Sequence, residues 1–313
     1  MTRLSLEPAL CLTAPTGCGK TELALMLAER LPLEIVSMDS ALVYRYMDIG
    51  TAKPPRAVRE HVPHHLIDIR DPAEAYSAGD FCRDAEQAFD EIRARGKQPL
   101  IVGGTMLYLR ALRDGLAELP ARDERIRREL DAEAEARGWA ALHGRLAEID
   151  PDAAARIAPN DRQRIQRALE VHAATGRTLT ELKRRGGRRK RALAVLALVP
   201  QDRPALAGRL AARFDAMVEA GFVDEVRRLR ARGDLDARMS SIRSVGYRQI
   251  WAHLDGKYEW RDARERAIVA TRQLAKRQLT WLRGESEYDV LPAFGSDTEQ
   301  RVRRWVEQKR ERL

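Results

Sequence analysis

The octapeptide Ala14-Pro15-Thr16-Gly17-Cys18-Gly19-Lys20-Thr21 follows a short apolar run, Pro8 to Ala14, and precedes Leu23, Ala24, Leu27, Ala28 and Leu31 at helical spacing. It matches the phosphate-loop pattern G-x-x-x-x-G-K-[ST] at every fixed position but the first, where Ala14 replaces glycine. The chemistry needs backbone N–H groups turned inward around oxygen atoms. Glycines permit those dihedrals, and a helix N-terminus adds its positive end. Lys20 supplies a point charge and Thr21 a hydroxyl suited to Mg²⁺. A loop of this kind between strand and helix commits the first third of the chain to an α/β core.

The sequence that follows agrees. Pro32 stops the helix, and Leu33 to Met38 reads as a second strand ending at Asp39-Ser40. Ala78 to Arg95 is amphipathic and helical. Gly96 closes it, and Pro99 to Val102 is a buried strand ending at Gly103-Gly104-Thr105. Strands alternating with helices predict a P-loop NTPase-like parallel sheet flanked by helices, with right-handed crossovers. Ligands of such sheets sit outside the C-terminal strand ends. There the chain places Thr16–Thr21, Asp39-Ser40 and Gly103–Thr105. NTP-hydrolysing members hold Mg²⁺ with an aspartate closing a second hydrophobic strand. Here Pro99–Val102 runs into Gly-Gly-Thr, and the only acid so placed is Asp39. Asp39 can serve as a metal-side carboxylate, as a general base, or as the cap of a following helix.

Between Leu112 and Arg191 the pattern changes. No strand is predicted, and Asp123 to Arg137, Trp139 to Ile149, Pro151 to Ile157 and Asp161 to Thr175 read as short helices, with Gly138 and Gly176 as stops. Lys183 to Arg191 packs seven basic residues into nine, which reads either as a solvated loop or as a direct contact with nucleic-acid phosphates. Ala192 to Val199 resumes as an apolar strand, Arg203 to Ala220 as a helix, and a long arginine-rich helix runs from Arg261 to Arg283. The expected organisation is a first part of the α/β core over 1–111, an all-α insertion over 112–191, core completion with a helical C-terminal part over 192–285, and a tail over 286–313.

Composition bounds the partners. Lys+Arg number 56 against 47 Asp+Glu, a net charge of +9, and only eight of the basic residues are lysine. GC-rich codon usage accounts for much of the arginine but not for the excess, which points to a polyanion. No apolar run approaches the roughly 18 residues of a membrane span, and the phosphate loop leaves no room before it for a cleavable signal. The expectation is a cytoplasmic monomer with no membrane partner. Cys11, Cys18 and Cys82 form no C-x-x-C, which fits a reducing compartment. His61, His64 and His65 cluster without acidic or thiol ligands at metal spacing, and His143, His172 and His253 stand alone, so all six read as structural.

Asp39-Ser40-Ala41-Leu42-Val43-Tyr44, continuing to Met47-Asp48-Ile49-Gly50-Thr51-Ala52-Lys53-Pro54, resembles the signature of the tRNA dimethylallyltransferases, also called tRNA isopentenyltransferases. Pro63–Asp68, Tyr76–Phe81, Gly103–Tyr108, Arg167–Val171, Ser244–Gln249 and Thr271–Gln278 are similar to further family motifs. The resemblance covers residues 8 to 285 and lacks the zinc-finger extension of some eukaryotic relatives, so a bacterial-type enzyme is implied.

That resemblance implies transfer of a dimethylallyl group from dimethylallyl diphosphate to N6 of the adenosine immediately 3′ of the anticodon, in tRNAs reading codons that begin with U. The leaving group is a diphosphate, which suits a phosphate loop without the usual second aspartate. The resemblance assigns catalysis to Asp39 as general base, Thr105 near the reacting centre and Arg213 on the leaving group. Diphosphate binding falls to Ala14, Pro15, Thr16, Gly17, Cys18, Gly19, Lys20 and Thr21, with Mg²⁺ on Thr21. Contacts with the tRNA anticodon stem-loop are implied for Asp39, Ser40, Ala41 and Leu42, for Thr105 and Arg127, and for Gln163, Arg164, Ile165, Gln166 and Arg167. Two later stretches complete the set: Arg243, Ser244, Val245, Gly246, Tyr247 and Arg248, then Lys276, Arg277, Gln278, Leu279, Thr280, Trp281, Leu282 and Arg283. A buried side chain is the first reading of Trp281, ahead of a stacking platform.

Two other classes share parts of the pattern. A small-molecule or nucleotide kinase has the loop and the sheet but no need of a basic helical insertion. A non-catalytic RNA-binding protein accounts for the charge but not for Asp39 and Lys20 at adjoining strand ends. A nucleotide acceptor such as adenylate is chemically equivalent to the tRNA adenine, and the long insertion argues for the larger RNA.

Overall fold

A computed structural model of the chain describes residues 8–117, 119–184, 187–188 and 191–311. The chain divides into two compact units: one runs to Arg113 and resumes at Arg191, the other is Asp114–Lys190.

In the first unit, β1 (Ala9–Thr13), α1 (Lys20–Arg30), β2 (Leu33–Met38), α2 (Arg56–His61), β3 (His64–His65), α3 (Ala78–Ala94), β4 (Gln98–Gly103) and α4 (Met106–Asp114) follow in turn. The second unit holds β5 (Leu116–Ala117), α5 (Glu124–Arg137), α6 (Trp139–Ile149), α7 (Pro151–Arg156), α8 (Arg162–Thr175), α9 (Leu179–Arg184) and β6 (Gly187–Arg188). The chain then returns to the first unit as β7 (Leu193–Val199), α10 (Arg203–Glu219), α11 (Phe222–Ala231), α12 (Tyr247–Leu254), α13 (Trp260–Arg283), β8 (Asp289–Pro292) and α14 (Thr298–Arg310).

The main sheet has the order β3-β2-β4-β1-β7-β8, and every pairing in it is parallel. β1 lies between β4 and β7, with Leu12 opposite Val102 on one side and Leu196 on the other. Both faces of the sheet are covered, which is why β1 and β2 are buried along their whole length and read as apolar runs rather than alternating ones. Leu10, Leu12, Ile35, Leu100 and Val102 pack on Ala24 and Leu27 of α1 and on Val302 and Val306 of α14. Cys11, Val36, Met38 and Ile101 face Phe81, Phe89 and Ile92 of α3 and Leu109 of α4. The helix α3 starts where a capping box fixes it: Ser77 Oγ accepts from Asp80 N–H at 3.1 Å, and the Asp80 carboxylate accepts from Ser77 N–H at 3.0 Å. A third core joins Val43, Tyr44 and Met47, in the loop after β2, to Phe214, Phe222, Tyr247 and Ala267 on α10 to α13.

The second unit has its own core of Ile126, Leu130, Leu142, Leu146, Ile165 and Leu169. Asp123, Asp150 and Asp161 cap α5, α7 and α8, and Gly138 and Gly176 end α5 and α8 at φ 82° and 68°.

Three sequence expectations change. The stretch 112–191 is not free of strand, because β5 and β6 form a short antiparallel ladder with Leu116 opposite Arg188, and α9 follows α8. Two-residue strands carry no periodicity, which is why they escape a sequence reading. Residues 286–313 are more than a tail: β8 extends the sheet beside β7, and α14 covers one face of it. The basic run is not uniformly solvated. Arg191 is buried, ion-paired to Glu86 and stacked over Phe89, while Arg184 pairs with Asp152 at 2.6 Å. Residues 185, 186, 189 and 190 of that run lie outside the described residues.

Candidate functional site

At the C-terminal ends of β1, β2 and β4 the first unit opens into a cavity of about 620 Å³ lined by Lys20, Thr21, Asp39, Thr105, Arg213 and Arg277 among others. The phosphate loop forms its floor. Gly17 and Gly19 adopt φ 82° and 76°, left-handed values that side chains resist, so the two glycines are demanded by the turn. A Cβ on Gly17 would also lie 2.8 Å from Leu210 Cδ2 of α10. One turn further along that helix, Arg213 reaches the cavity. Ala14, at the motif's anomalous position, is fully buried at the end of β1.

Asp39 follows β2. Its Oδ1 accepts from Ala41 N–H at 2.8 Å and from Leu42 N–H at 3.3 Å, which closes a turn rather than capping a helix, because the next helix, α2, begins only at Arg56. Both bonds use the same oxygen, and neither engages Oδ2. Thr105 follows β4, and its Oγ1 accepts from Ser40 N–H at 3.1 Å while its own N–H donates to Met38 O at 3.3 Å. The strand ends can meet this closely because Gly103 has no side chain: a Cβ there would stand 2.0 Å from Met38 O.

The loop after β2 is tied down by buried charge. Glu225 of α11 accepts from the N–H groups of Asp48, Ile49 and Gly50 at 2.8, 2.8 and 3.1 Å, and from the Tyr247 hydroxyl at 2.6 Å. Lys53, buried, donates to Asp48 and Asp68 at 2.6 and 2.5 Å and to Tyr44 O at 2.8 Å. Tyr46, Ala52, Leu66 and Asp68 hold positive φ in this region, a conformation kept only where surroundings over-determine it.

Electrostatically the cavity is short of anions. Burial lowers the Lys20 pKa and Arg213 lowers it further, while Asp39 works the other way. Burial likewise lowers that of Arg213, against the pull of Glu22 and Asp39. Among the described residues neither cation has a carboxylate within ion-pair distance. Burial also keeps the Cys18 thiol protonated, with its pKa pushed up to about 11.

The remaining expected residues divide. Ser40, Ala41, Leu42, Arg243, Ser244, Val245, Arg277 and Trp281 line the cavity. Gly246 and Tyr247 line it as well but are buried, and Tyr247 is engaged with Glu225. Arg248 faces a separate groove beside Tyr258 and Glu265. On α13, Lys276, Thr280 and Arg283 are exposed or nearly so, whereas Leu279 and Leu282 are buried in the core, so these two side chains are withdrawn from any RNA surface. Gln278 is also withdrawn: its Oε1 accepts from Thr16 N–H at 2.9 Å and its Nε2 donates to Gly104 O at 2.8 Å. Trp281 is 38 % exposed and lies under Arg110, which excludes the fully buried reading.

In the second unit Gln163 and Arg164 are exposed on α8, but Ile165 is buried and Gln166 donates to Asp131. Arg127 and Arg167 both bind the buried Glu170 carboxylate, at 3.0 and 2.9 Å. Burial tends to raise the Glu170 pKa, but these hydrogen bonds outweigh it and hold it low. The two arginines are thus partners of an internal acid before they are anything else.

Sequence reasoning missed Gln278 as a link, and missed Glu225 and Lys53. Lys53 stood in a family motif without a role, while the partners of Gln278 lie 262 and 174 residues away and leave no local signal. The histidines have protein partners where partners are seen: His65 meets Glu34, His143 faces the carbonyls of Ala154 and Ile157, and His253 that of Tyr258. No cluster of three or more His, Cys, Asp or Glu suited to a metal occurs among the described residues. No helix among them is long and apolar enough to cross a membrane.

Comparison with known proteins gives a consistent picture. A family model described as IPP transferase matches residues 42–285. The tRNA dimethylallyltransferase of Bordetella petrii is 55 % identical over 304 residues, spanning 95 % of this chain and 96 % of that protein. That of Cupriavidus taiwanensis is 56 % identical over 95 % and 94 %. The crystal structure of a full-length tRNA isopentenylpyrophosphate transferase from Bacillus halodurans superposes with TM-score 0.71 at 37 % identity, covering 98 % of this chain and 97 % of that one. A eukaryotic dimethylallyltransferase acting on tRNA superposes with TM-score 0.79 at 28 % identity, over 94 % and 77 %.

Proposed function

The chain belongs to the IPP transferase family, and on that premise we propose that it transfers a dimethylallyl group from dimethylallyl diphosphate to N6 of the adenosine immediately 3′ of the anticodon in tRNAs reading codons that begin with U. One observation carries the reading: Lys20 and Arg213, two cations without ion-pair partners among the described residues, share a cavity with Asp39 and Thr105, while β4 ends in Gly-Gly-Thr with no metal-holding acid. That arrangement suits a diphosphate leaving group better than phosphoryl transfer from ATP.

The phosphate-loop amides, Lys20 and Arg213 hold the diphosphate and balance the charge that collects on it as its C–O bond breaks. The exocyclic N6 is a weak nucleophile because its lone pair is delocalised into the ring. Asp39 accepts its proton as the new C–N bond forms, a contribution of about 10²–10⁴-fold. Because Thr105 Oγ1 accepts from Ser40 N–H, the hydroxyl proton is left to donate toward the reacting groups. Mg²⁺ fits the donor set: the Thr21 hydroxyl is a hard oxygen ligand, and this ion keeps waters and substrate phosphates for its other positions. Held by the Thr21 hydroxyl, Mg²⁺ would supply positive charge beside the leaving group.

Reaching N6 requires the adenine to be flipped out of the anticodon loop. Arg243, Arg277 and Trp281, at the cavity, offer guanidinium planes and an aromatic face of the kind that receives splayed bases. Lys276 and Arg283 on α13, and Gln163 and Arg164 on α8, are the polar groups proposed for the stem-loop. The enzyme acts as a monomer in the cytoplasm, where its RNA substrate resides.

The experiment is incubation with labelled dimethylallyl diphosphate or labelled ATP, each with and without tRNA. Label reaching tRNA only from the allylic donor supports the proposal. Phosphate transfer from ATP overturns it in favour of a kinase.

A further inference from the structure

The helix α13 bears the cations Lys276, Arg277 and Arg283 toward solvent, yet on its inner face one side chain joins two strand ends of the cavity. Gln278 Oε1 takes the N–H of Thr16 in the phosphate loop, and its Nε2 gives a hydrogen bond to the carbonyl of Gly104, the residue before Thr105. The Thr16 N–H therefore anchors the loop from outside rather than facing a ligand. A primary amide is the side chain that offers an acceptor and a donor in one plane, and so stands in for a peptide group between two backbones. The fit is close. A Cβ on Gly104 would lie 2.5 Å from Gln278 Nε2 and 3.1 Å from Ala14 O. The same helix lines the cavity with Thr271, Leu274, Arg277 and Trp281 at helical spacing. The position of α13 is thereby passed directly to the loop that grips the diphosphate.

We propose that Gln278 is a positioning residue that fixes the phosphate loop against the Gly104–Thr105 turn and couples RNA binding on α13 to diphosphate binding in the loop. The proposal rests on the functional reading above. Thermodynamic coupling is reciprocal, so RNA held on α13 tightens the grip on diphosphate and diphosphate tightens the grip on RNA by the same factor. The allylic donor is then held most firmly when the acceptor adenine is present, which limits its loss to water.

The test uses the full chain, inorganic diphosphate as the probe, and an anticodon stem-loop RNA. In the unsubstituted protein the stem-loop tightens diphosphate binding by about 5-fold or more, the low end of ordinary coupling. In Gln278→Leu that factor falls to near one, kcat falls by about tenfold or more, and the affinity for stem-loop alone stays within about twofold. Gln278→Glu keeps the acceptor for Thr16 and loses the donor to Gly104, so its coupling lies between. Gly104→Ala, which pushes the amide away from outside α13, reproduces the leucine variant and guards against a folding artefact; melting curves of all three are recorded. Retention of the coupling and of kcat in folded variants overturns the proposal. So does a loss confined to stem-loop affinity, which makes Gln278 an ordinary RNA contact. Absence of allyl transfer by the unsubstituted protein sinks the functional reading instead, and is distinguishable from either result.

Discussion

Thr105 and Ser40 follow two different strands, yet the Thr105 hydroxyl oxygen accepts the Ser40 N–H at 3.1 Å and so fixes the distance between the ends of β4 and β2. The residue next to Ser40 is Asp39, so this bond sets where the proposed base stands. Thr105→Val removes the acceptor and leaves the exposed Ser40 N–H to water, a loss of about 0.5–1.5 kcal/mol. Turnover is expected to fall by roughly 2- to 10-fold, and Thr105→Ser to recover most of it. Equal activity of the valine and serine variants in steady-state assays refutes the role.

Asp39→Asn is a cleaner probe than alanine, because the amide oxygen still accepts from Ala41 and Leu42 and the turn is kept. Single-turnover allyl transfer should drop by about 10²–10⁴-fold while stem-loop affinity is unchanged. If filter binding instead shows the whole effect in RNA affinity, Asp39 is not the base.

Lys53 is the buried cation of the loop after β2, its side chain 1 % exposed and held between Asp48 and Asp68. Without Lys53 the buried Tyr44 carbonyl loses its donor, which costs about 1–3 kcal/mol. Asp48 is exposed and Asp68 keeps its pair with Arg59, so the full penalty of a broken buried pair does not apply. Lys53→Met should therefore lower the thermal midpoint clearly and loosen the cavity wall. An unchanged midpoint means that the Tyr44 carbonyl finds another donor without cost.

Glu34 predicts an acid limb in stability. Its burial pushes the pKa up, but hydrogen bonds from Arg95, His65 and Lys97 outweigh that and bring it from an ordinary 4.5 to about 2. A depressed carboxylate stabilises the folded state fully above its unfolded pKa, and that stability is lost as pH falls through the folded one. About 3 kcal/mol should thus be lost between pH ~4.5 and ~2. Glu34→Gln should be less stable at neutral pH and show a flatter profile over that range in denaturant titrations; parallel profiles contradict the assignment.

The arginines should separate by what they already hold. Replacing Lys276, Arg277 and Arg283 by alanine should weaken RNA binding and flatten its log–log salt dependence, by nearly one unit of slope for each RNA phosphate that is no longer neutralised. Arg127→Ala removes a partner of the buried Glu170 and should lower the melting temperature of the second unit before it alters that slope. A salt slope that falls with Arg127 alone reverses this ranking.

What could be read from the sequence was whatever is local. The phosphate loop, the strand ending at Asp39 and the strand ending at Gly103-Gly104-Thr105 each announce themselves within a few residues, and the helices of the second unit carry their caps beside them. What could not be read depends on partners far along the chain. Glu225 holds amides 175 to 177 residues away, and Gln278 spans two loops, one of them at still greater separation. The half-exposed β8 and the two-residue β5 and β6 lack any periodic signature. Among the proposed RNA-binding residues, residue type alone could not distinguish exposed Arg164 from Arg167, which is bound to Glu170 and the Pro120 carbonyl.

The phosphate-loop strand β1 takes one neighbour, β4, from before the second unit in the chain and the other, β7, from beyond it. Chains leave the ribosome N-terminus first. β1 is therefore left with one open flank while the whole of Asp114–Lys190 is synthesised, and Arg213 and Gln278 follow later still. A loop that begins at Ala14 acquires a hydrogen-bond partner as late as residue 278. The helical unit, contiguous in sequence, has all its residues available by then, so the cavity at the strand ends is closed late in translation rather than early.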